Sequence, residues 1–175
     1  MKKLRGVKFL PINAIYDELE SPVGLLTIIA STKGLHSVLW ENDRNNGECN
    51  NIINSLSQSP KNTVIMDTKK QLGEYFHGKR TIFNLPLVLN GTDFQIKAWQ
   101  QLLEIPYAST ISYAQQAEKI GDRKKARAVG MANGLNPISI IIPCHRVIGS
   151  NGKLVGFAGG IEMKLMLLNL EKYNL

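Results

Sequence analysis

Two adjacent residues carry the sharpest chemistry in this sequence. Cys144 offers a sulfur nucleophile, and His145 offers a base directly beside it. A thiol attacks as its thiolate, and an unperturbed pKa of about 8.5 leaves only a few per cent ionised at neutral pH. A neighbouring base, nearby cations or a helix N-terminus changes that. Here an imidazole, the Arg146 guanidinium and the glycine at position 149 all lie within five residues of Cys144. Adjacent side chains on an extended backbone point to opposite faces. Either the chain turns at Cys144, therefore, or a water carries the proton between the two groups. Taken alone, a Cys–His pair reads first as an inert buried thiol beside a satisfied imidazole, so its surroundings must decide.

A second feature is electrostatic. Across residues 119–146, Lys119, Arg123, Lys124, Lys125, Arg127 and Arg146 are opposed by Asp122 alone. The whole chain carries a net charge of +7, from 21 basic and 14 acidic residues. Such a cluster suits a polyanionic partner, and a solvated helix face is the plainer alternative. Cys49 and Cys144 are the only cysteines, too few for a disulfide framework, and read as free thiols in a reducing cytoplasm. Three histidines and two cysteines show no zinc-ligand spacing, so neither a metal nor a cofactor is expected.

The elements that must position these residues follow from periodicity and punctuation. With 175 residues, 43% hydrophobic and 20% charged, the chain can bury a core and is not disordered. No apolar run reaches the length of a membrane span, and no signal-peptide core follows the basic Met1–Arg5. Residues 24–40 read as a β-hairpin turning at Ser31-Thr32-Lys33-Gly34. The Asn- and Ser-rich stretch 41–62 reads as a loop, with a short helix around Ile52–Leu56. A helix is expected over Asp67–Phe76 and an extended piece over Leu85–Leu89.

Past Asn90-Gly91 the pattern becomes helical. Thr92-Asp93-Phe94-Gln95 and Ser112-Tyr113-Ala114-Gln115 are capping boxes. The first opens a helix with Ile96, Trp99, Leu102 and Leu103 on its apolar face; the second opens one that reaches Lys119. After Gly121-Asp122 a basic helix spans Arg123–Ala132, so the pair suggests a helix-turn-helix. The apolar run Ile138–Ile142 then delivers Pro143 and Cys144, a glycine-rich loop covers 149–160, and a last helix spans Ile161–Glu171 with Ile161, Leu165 and Leu168 inward. The reading is α+β: a small mixed α/β domain over 1–90, then a mostly helical domain over 91–175.

The order of motifs resembles the O6-alkylguanine-DNA alkyltransferases. Ile142-Pro143-Cys144-His145-Arg146-Val147 is similar to that family's acceptor motif. Asp93 to Gln100, Ile105-Pro106-Tyr107, Ile111-Ser112-Tyr113, Ala126-Arg127-Ala128-Val129-Gly130, Asn136-Pro137 and Gly156 to Gly160 resemble its other segments in the same order. The first half fits through Ser21-Pro22-Val23-Gly24 and Glu74 to Gly78.

The resemblance implies a ribonuclease-H-like sheet in the first domain and a single-turnover cysteine S-methyltransferase in the second. Cys144 would accept the alkyl group of O6-alkylguanine or O4-alkylthymine. His145, oriented by Glu171, would take the thiol proton through a water. Asn136 would tie the helix-turn-helix to the acceptor segment. Tyr113 would stand beside the flipped base and the DNA. Arg127 would fill the gap in the duplex, with Lys124, Lys125 and Ala126 beside it on the minor groove. Val147, Phe157, Ala158 and Gly159 would line the pocket. The partner would be double-stranded DNA bound by a monomer. Leu135, Phe157 and Ala158 depart from residues common in the family and put a backbone charge and a pocket hydrogen bond in doubt. A non-enzymatic lesion-binding relative is the alternative, and Cys144 argues against it. A cysteine protease or acyltransferase would leave the basic helix without a use, and a plain transcription regulator would leave Cys144-His145 without one.

Overall fold

The computed structural model describes residues 4–174; the basic start at Met1–Lys3 lies outside them. The chain divides into two compact units at Asn90/Gly91. The first is built on a four-stranded sheet in the order β3-β2-β1-β4, from β1 (Ile15–Leu19), β2 (Leu26–Ser31), β3 (Gly34–Trp40) and β4 (Ser57–Gln58). The first three strands run antiparallel, with Ile15 opposite Ala30 and Leu26 opposite Trp40, while β4 lies parallel to β1. Every residue of β2 and β3 is buried. Their apolar residues run nearly continuously because both faces of the sheet are covered. On one face Ile29 and Leu39 pack with Val7, Ala14, Cys49 and Ile53. Helix α3 (Thr63–Phe76) packs against the sheet through a buried stripe that includes Ile65, Leu72 and Tyr75.

The expected hairpin forms, and Gly34 is essential to its turn. At φ +142° a Cβ there would stand 2.3 Å from the Pro86 carbonyl oxygen. That carbonyl accepts from Leu35 N (2.7 Å), and Val88 N donates back to Leu35 O (2.9 Å), so residues 86–88 lie extended along the hairpin. The Asn-rich stretch is more ordered than its composition suggests. It folds as α1 (Glu41–Arg44) and α2 (Gly47–Asn54), the latter capped by the Asn46 side chain. Asparagine disfavours helix interiors but suits caps. For the same reason Asn62 caps α3 (Thr63–Phe76), which begins four residues earlier than apolar spacing indicates.

The second unit holds α4 (Asp93–Leu102), β5 (Ile111–Ser112), α5 (Tyr113–Lys119), α6 (Ala126–Asn133), β6 (Val147–Ile148) and α7 (Ile161–Tyr173). Both capping boxes form: Gln95 N donates to Thr92 Oγ1 (3.3 Å) and Gln115 N to Ser112 Oγ (3.2 Å). Residues Arg123–Lys125, expected as the start of the basic helix, form a separate 3-10 turn capped by Asp122, and only Ala126 onward is α-helical. Ala117, Ile120 and Val129 form the small core between α5 and α6. Buried amides set their angle: Gln116 and Asn133 exchange hydrogen bonds at 2.7 and 3.2 Å, and Trp99 Nε1 of α4 donates to Ala132 O (2.8 Å). Leu103, expected on the apolar face of α4, is exposed, whereas Ala98, Trp99 and Leu102 are buried.

The run Ile138–Ile142 forms a tight reversal, with Ile142 N donating to Ile138 O (3.0 Å) and Ile140 in the left-handed region at φ +72°. One further expectation is corrected. In α7, Ile161 and Leu165 face outward, 42% and 48% exposed, and the inward stripe is Lys164, Leu167 and Glu171. Polar partners inside the unit, rather than apolar content, set the rotation of this helix.

Candidate active site

The reversal at 138–142 presents the nucleophile. Asn136, fully buried, clamps it: the side-chain amide donates to Ile142 O (2.8 Å) and its oxygen accepts from Ile138 N (3.0 Å). Pro143 follows, and Cys144–Arg146 form one 3-10 turn with Cys144 N bonded to Ile142 O (2.8 Å). The backbone therefore turns at Cys144 rather than running extended. Successive side chains of a 3-10 turn are about 120° apart, which fans Cys144, His145 and Arg146 in three directions. Cys144 is 6% exposed, and His145 has no exposed surface.

The imidazole and guanidinium converge on one carboxylate from α7. His145 Nε2 lies 2.6 Å from Glu171 Oε1. Arg146 Nε donates to Oε2 (2.9 Å), and its Nη2 donates to Oε1 (3.0 Å). Ala108 N donates to Oε2 (2.9 Å), and Arg146 Nη1 to Ile105 O (2.7 Å), so the loop after α4 is held as well. Burial by itself would raise the Glu171 pKa. The His145 hydrogen bond and the paired Arg146 outweigh it and hold the carboxyl at about 2. Burial pushes His145 down, against the pull of Glu171.

These directions fix the tautomer. An ionised Glu171 can only accept, so Nε2 of a neutral His145 carries the proton. Nδ1 then bears the lone pair. That atom is buried and without a hydrogen-bond partner among the described residues, which leaves the basic nitrogen available.

Tyr113 is the first residue of α5, and a two-residue parallel ladder pairs the segment before it with the segment after the acceptor turn: Ile111 lies beside Val147 and Ser112 beside Ile148. Its hydroxyl donates to Val155 O (3.1 Å). Burial raises the phenol to about 12, and the neighbouring Cys144 adds to the effect.

Sequence reasoning missed Lys164. It is fully buried, and its ammonium donates to Val147 O (2.6 Å), Val155 O (3.1 Å) and the Tyr113 oxygen (3.5 Å). Burial lowers its pKa, and the Cys144 side chain opposes that. One side chain thus ties residues 147 and 155 to Tyr113. The available signal was a lysine seven residues before Glu171, on the same helical stripe with Leu167 between them.

Phe157 lies 6.0 Å from the Lys164 ammonium, measured to its ring centroid, and residues 157–159 are half-buried. The basic residues stand apart, on the outside of the helix-turn-helix. Arg123 pairs with Glu118 (3.0 Å), and Lys125 reaches Asp122 at 3.9 Å. Lys124 and Arg127 are exposed, and Ala126 is half-buried. Among the described residues no three His, Cys, Asp or Glu side chains converge as metal ligands, and no helix is long and apolar enough to cross a membrane.

Residues 93–173 match the DNA-binding domain of 6-O-methylguanine DNA methyltransferase, and residues 14–89 match its ribonuclease-like domain. A methylated-DNA–protein-cysteine methyltransferase of Methanosarcina barkeri is 44% identical over 160 residues, which cover 91% of this chain and 98% of the relative. The chain belongs to the methylated-DNA–protein-cysteine methyltransferase family. Among solved structures, Mycobacterium tuberculosis O6-methylguanine methyltransferase matches with a TM-score of 0.80 at 41% identity, covering 93% of this chain and 94% of that one. The M. tuberculosis OGT structure in complex with DNA matches with a TM-score of 0.79 at 43% identity, covering 91% and 93%. Every residue of the cluster around Cys144 falls in the stretch matched to the methyltransferase DNA-binding domain.

Proposed function

We propose that this protein repairs DNA by direct reversal, moving the alkyl group of O6-alkylguanine, or of O4-alkylthymine, from duplex DNA to the sulfur of Cys144. The observation that carries this reading is the buried Glu171–His145 pair beside the Cys144 turn, because it leaves a neutral imidazole with its basic nitrogen free. Through one bridging water, Nδ1 of His145 takes the thiol proton. The thiolate attacks the alkyl carbon in line, the S–C bond forms, and the bond from carbon to the base oxygen breaks with its electron pair on the base. Tyr113, kept protonated by a pKa of about 12, turns its hydroxyl from Val155 O to donate a hydrogen bond to the leaving base and takes up developing charge. The thioether product is a poor leaving group, and no second acceptor stands by, so each molecule reacts once.

Reaching the base requires extrusion of the nucleotide, which costs a few kcal/mol in a duplex. Arg127 enters the vacated space, Lys124 and Lys125 meet phosphates, and Ala126 lets the helix approach the minor groove, whose degenerate code suits a lesion search. Val147 and residues 157–159 surround the extruded base. Ala158 has no hydroxyl, so polar contacts there come from the backbone. The protein acts as a monomer in the cytoplasm. Mass spectrometry after incubation with an O6-methylguanine duplex tests the reading: the Cys144 peptide gains one methyl group, and transfer stops at one equivalent. Methylation of Cys49, or sustained turnover, refutes it.

A further inference from the structure

We infer that Met131 is a positioning residue for the reaction, acting with Arg127 as a two-pronged wedge against the minor groove; the inference rests on the repair function proposed above. Met131 is 62% exposed. Among the described residues it is the only large apolar side chain of the helix-turn-helix, from Ser112 to Asn136, left exposed to that degree. Its position on α6 gives the exposure a direction. Val129, Ala132 and Asn133 are buried, so the outer face of the helix carries Arg127, Met131, Gly130 and Gly134. Residues four apart share a face, with Cβ atoms about 6 Å apart, so Met131 stands one turn beyond Arg127.

The neighbouring positions, Gly130 and Gly134, carry no side chain. A Cβ on Gly130 would lie 3.6 Å from the Tyr113 ring, which places this edge of α6 beside the site. Gly134, next along the same face, is exposed. A helix with glycines around one arginine and one methionine lets its backbone come close to a partner while two side chains project. The basic turn at Arg123–Lys125 leads directly into it, and that charge selects a polyanion rather than an apolar protein surface. Apolar side chains, methionine among them, enter the minor groove and unstack base steps. Arg127 replaces the extruded nucleotide, and Met131 packs on the sugar and base edge of the neighbouring pair, opposing restacking. It is flexible and unbranched, so it can follow a distorted step.

The test compares wild type, Met131→Ala, Met131→Leu and Arg127→Ala by single-turnover transfer from duplex and single-stranded O6-methylguanine oligonucleotides and from free O6-benzylguanine. A fluorescent base analogue beside the lesion reports extrusion. Met131→Ala is expected to slow the duplex reaction about tenfold and to lower the extrusion signal. The free-base reaction should stay at the wild-type rate and the single-stranded reaction close to it, as befits a contact that acts on stacking alone. Met131→Leu should restore most of the loss. The salt dependence of duplex binding should not change, since an apolar contact releases no counterion. Duplex repair by Met131→Ala at the wild-type rate, or equal losses on duplex and free base, overturns the wedge. If wild type transfers no methyl from any DNA, the repair reading itself fails. If Arg127→Ala is slow on duplex and Met131→Ala is not, only the wedge fails.

Discussion

Replacing Glu171 by Gln is expected to reveal both a folding role and a chemical one. The carboxylate accepts from His145 Nε2 at 2.6 Å, from Arg146 Nε and Nη2 at 2.9 and 3.0 Å, and from Ala108 N at 2.9 Å. These partners overcome the opposing effect of burial and hold its pKa at about 2 against an ordinary 4.5. A depressed carboxylate pKa stabilises the fold fully above the unfolded value, and that stability disappears as the pH falls from about 4.5 through about 2. The linkage amounts to on the order of 3 kcal/mol at neutral pH. Removing one partner of a buried pair costs about 3–5 kcal/mol by comparable measure, here by leaving the Arg146 guanidinium without its anion. Urea unfolding at pH 7 should therefore show Glu171→Gln less stable by about 3–4 kcal/mol, a large share of the roughly 5–15 kcal/mol of a typical domain. The gap between the two proteins should narrow as the pH is lowered from 5 to 3. On the folded protein, reaction with free O6-benzylguanine should slow by about 10- to 100-fold, because an amide that can both donate and accept no longer fixes the tautomer of His145. A difference below about 1 kcal/mol, or one independent of pH, would refute the linkage argument. An unchanged reaction rate would reduce Glu171 to a folding residue.

Cys144→Ser should abolish alkyl transfer, measured with a radiolabelled methylated duplex, and retain duplex binding. Cys49→Ser should leave both transfer and binding unchanged, since burial and the nearby Asp43 push that thiol up to about 11. Arg127→Ala should slow repair of duplex DNA and spare free O6-benzylguanine, whereas Lys124→Ala should weaken binding to all DNA and lower the salt slope by about one charge; equal losses on both substrates for Arg127→Ala contradict the extrusion role. Ala108 sits at φ +57° with its N–H on Glu171. Ala108→Gly should therefore keep that bond and raise stability by about 0.5–1 kcal/mol in thermal unfolding, by relieving the left-handed backbone.

Much of the fold was legible where periodicity or capping governs. The hairpin at 24–40, both capping boxes and the helix-turn-helix follow from local residue types that act on their own backbone. The elements that escaped notice depend on distant partners. Strands β5 and β6 are two residues each, and nothing local marks them; they exist because Ile111 and Val147 are brought side by side. The inward face of α7 was misread for a similar reason. Apolar content favours Ile161, Leu165 and Leu168, but Lys164 and Glu171 have buried partners that water would otherwise have to replace, and unpaired buried charge costs more than an exposed leucine. Cys144, His145 and Glu171 could be named from sequence by resemblance. The free Nδ1 could not, because it depends on which nitrogen of His145 meets Glu171.

The reversal before the nucleophile shows how the two levels join. Ile140 is β-branched and buried, yet it occupies the left-handed region at φ +72°. Such a conformation costs about 1–3 kcal/mol and persists only where surrounding structure determines it. Asn136 provides much of that determination, with one bond to each end of the reversal, at Ile138 N and Ile142 O. Pro143 then fixes the exit, and the 3-10 turn follows. An extended chain there would have set Cys144 and His145 on opposite faces. The strained turn instead brings the thiol, the imidazole and the guanidinium around one short axis, where a single carboxylate from α7 orders two of them, with Tyr113 and Lys164 near the third.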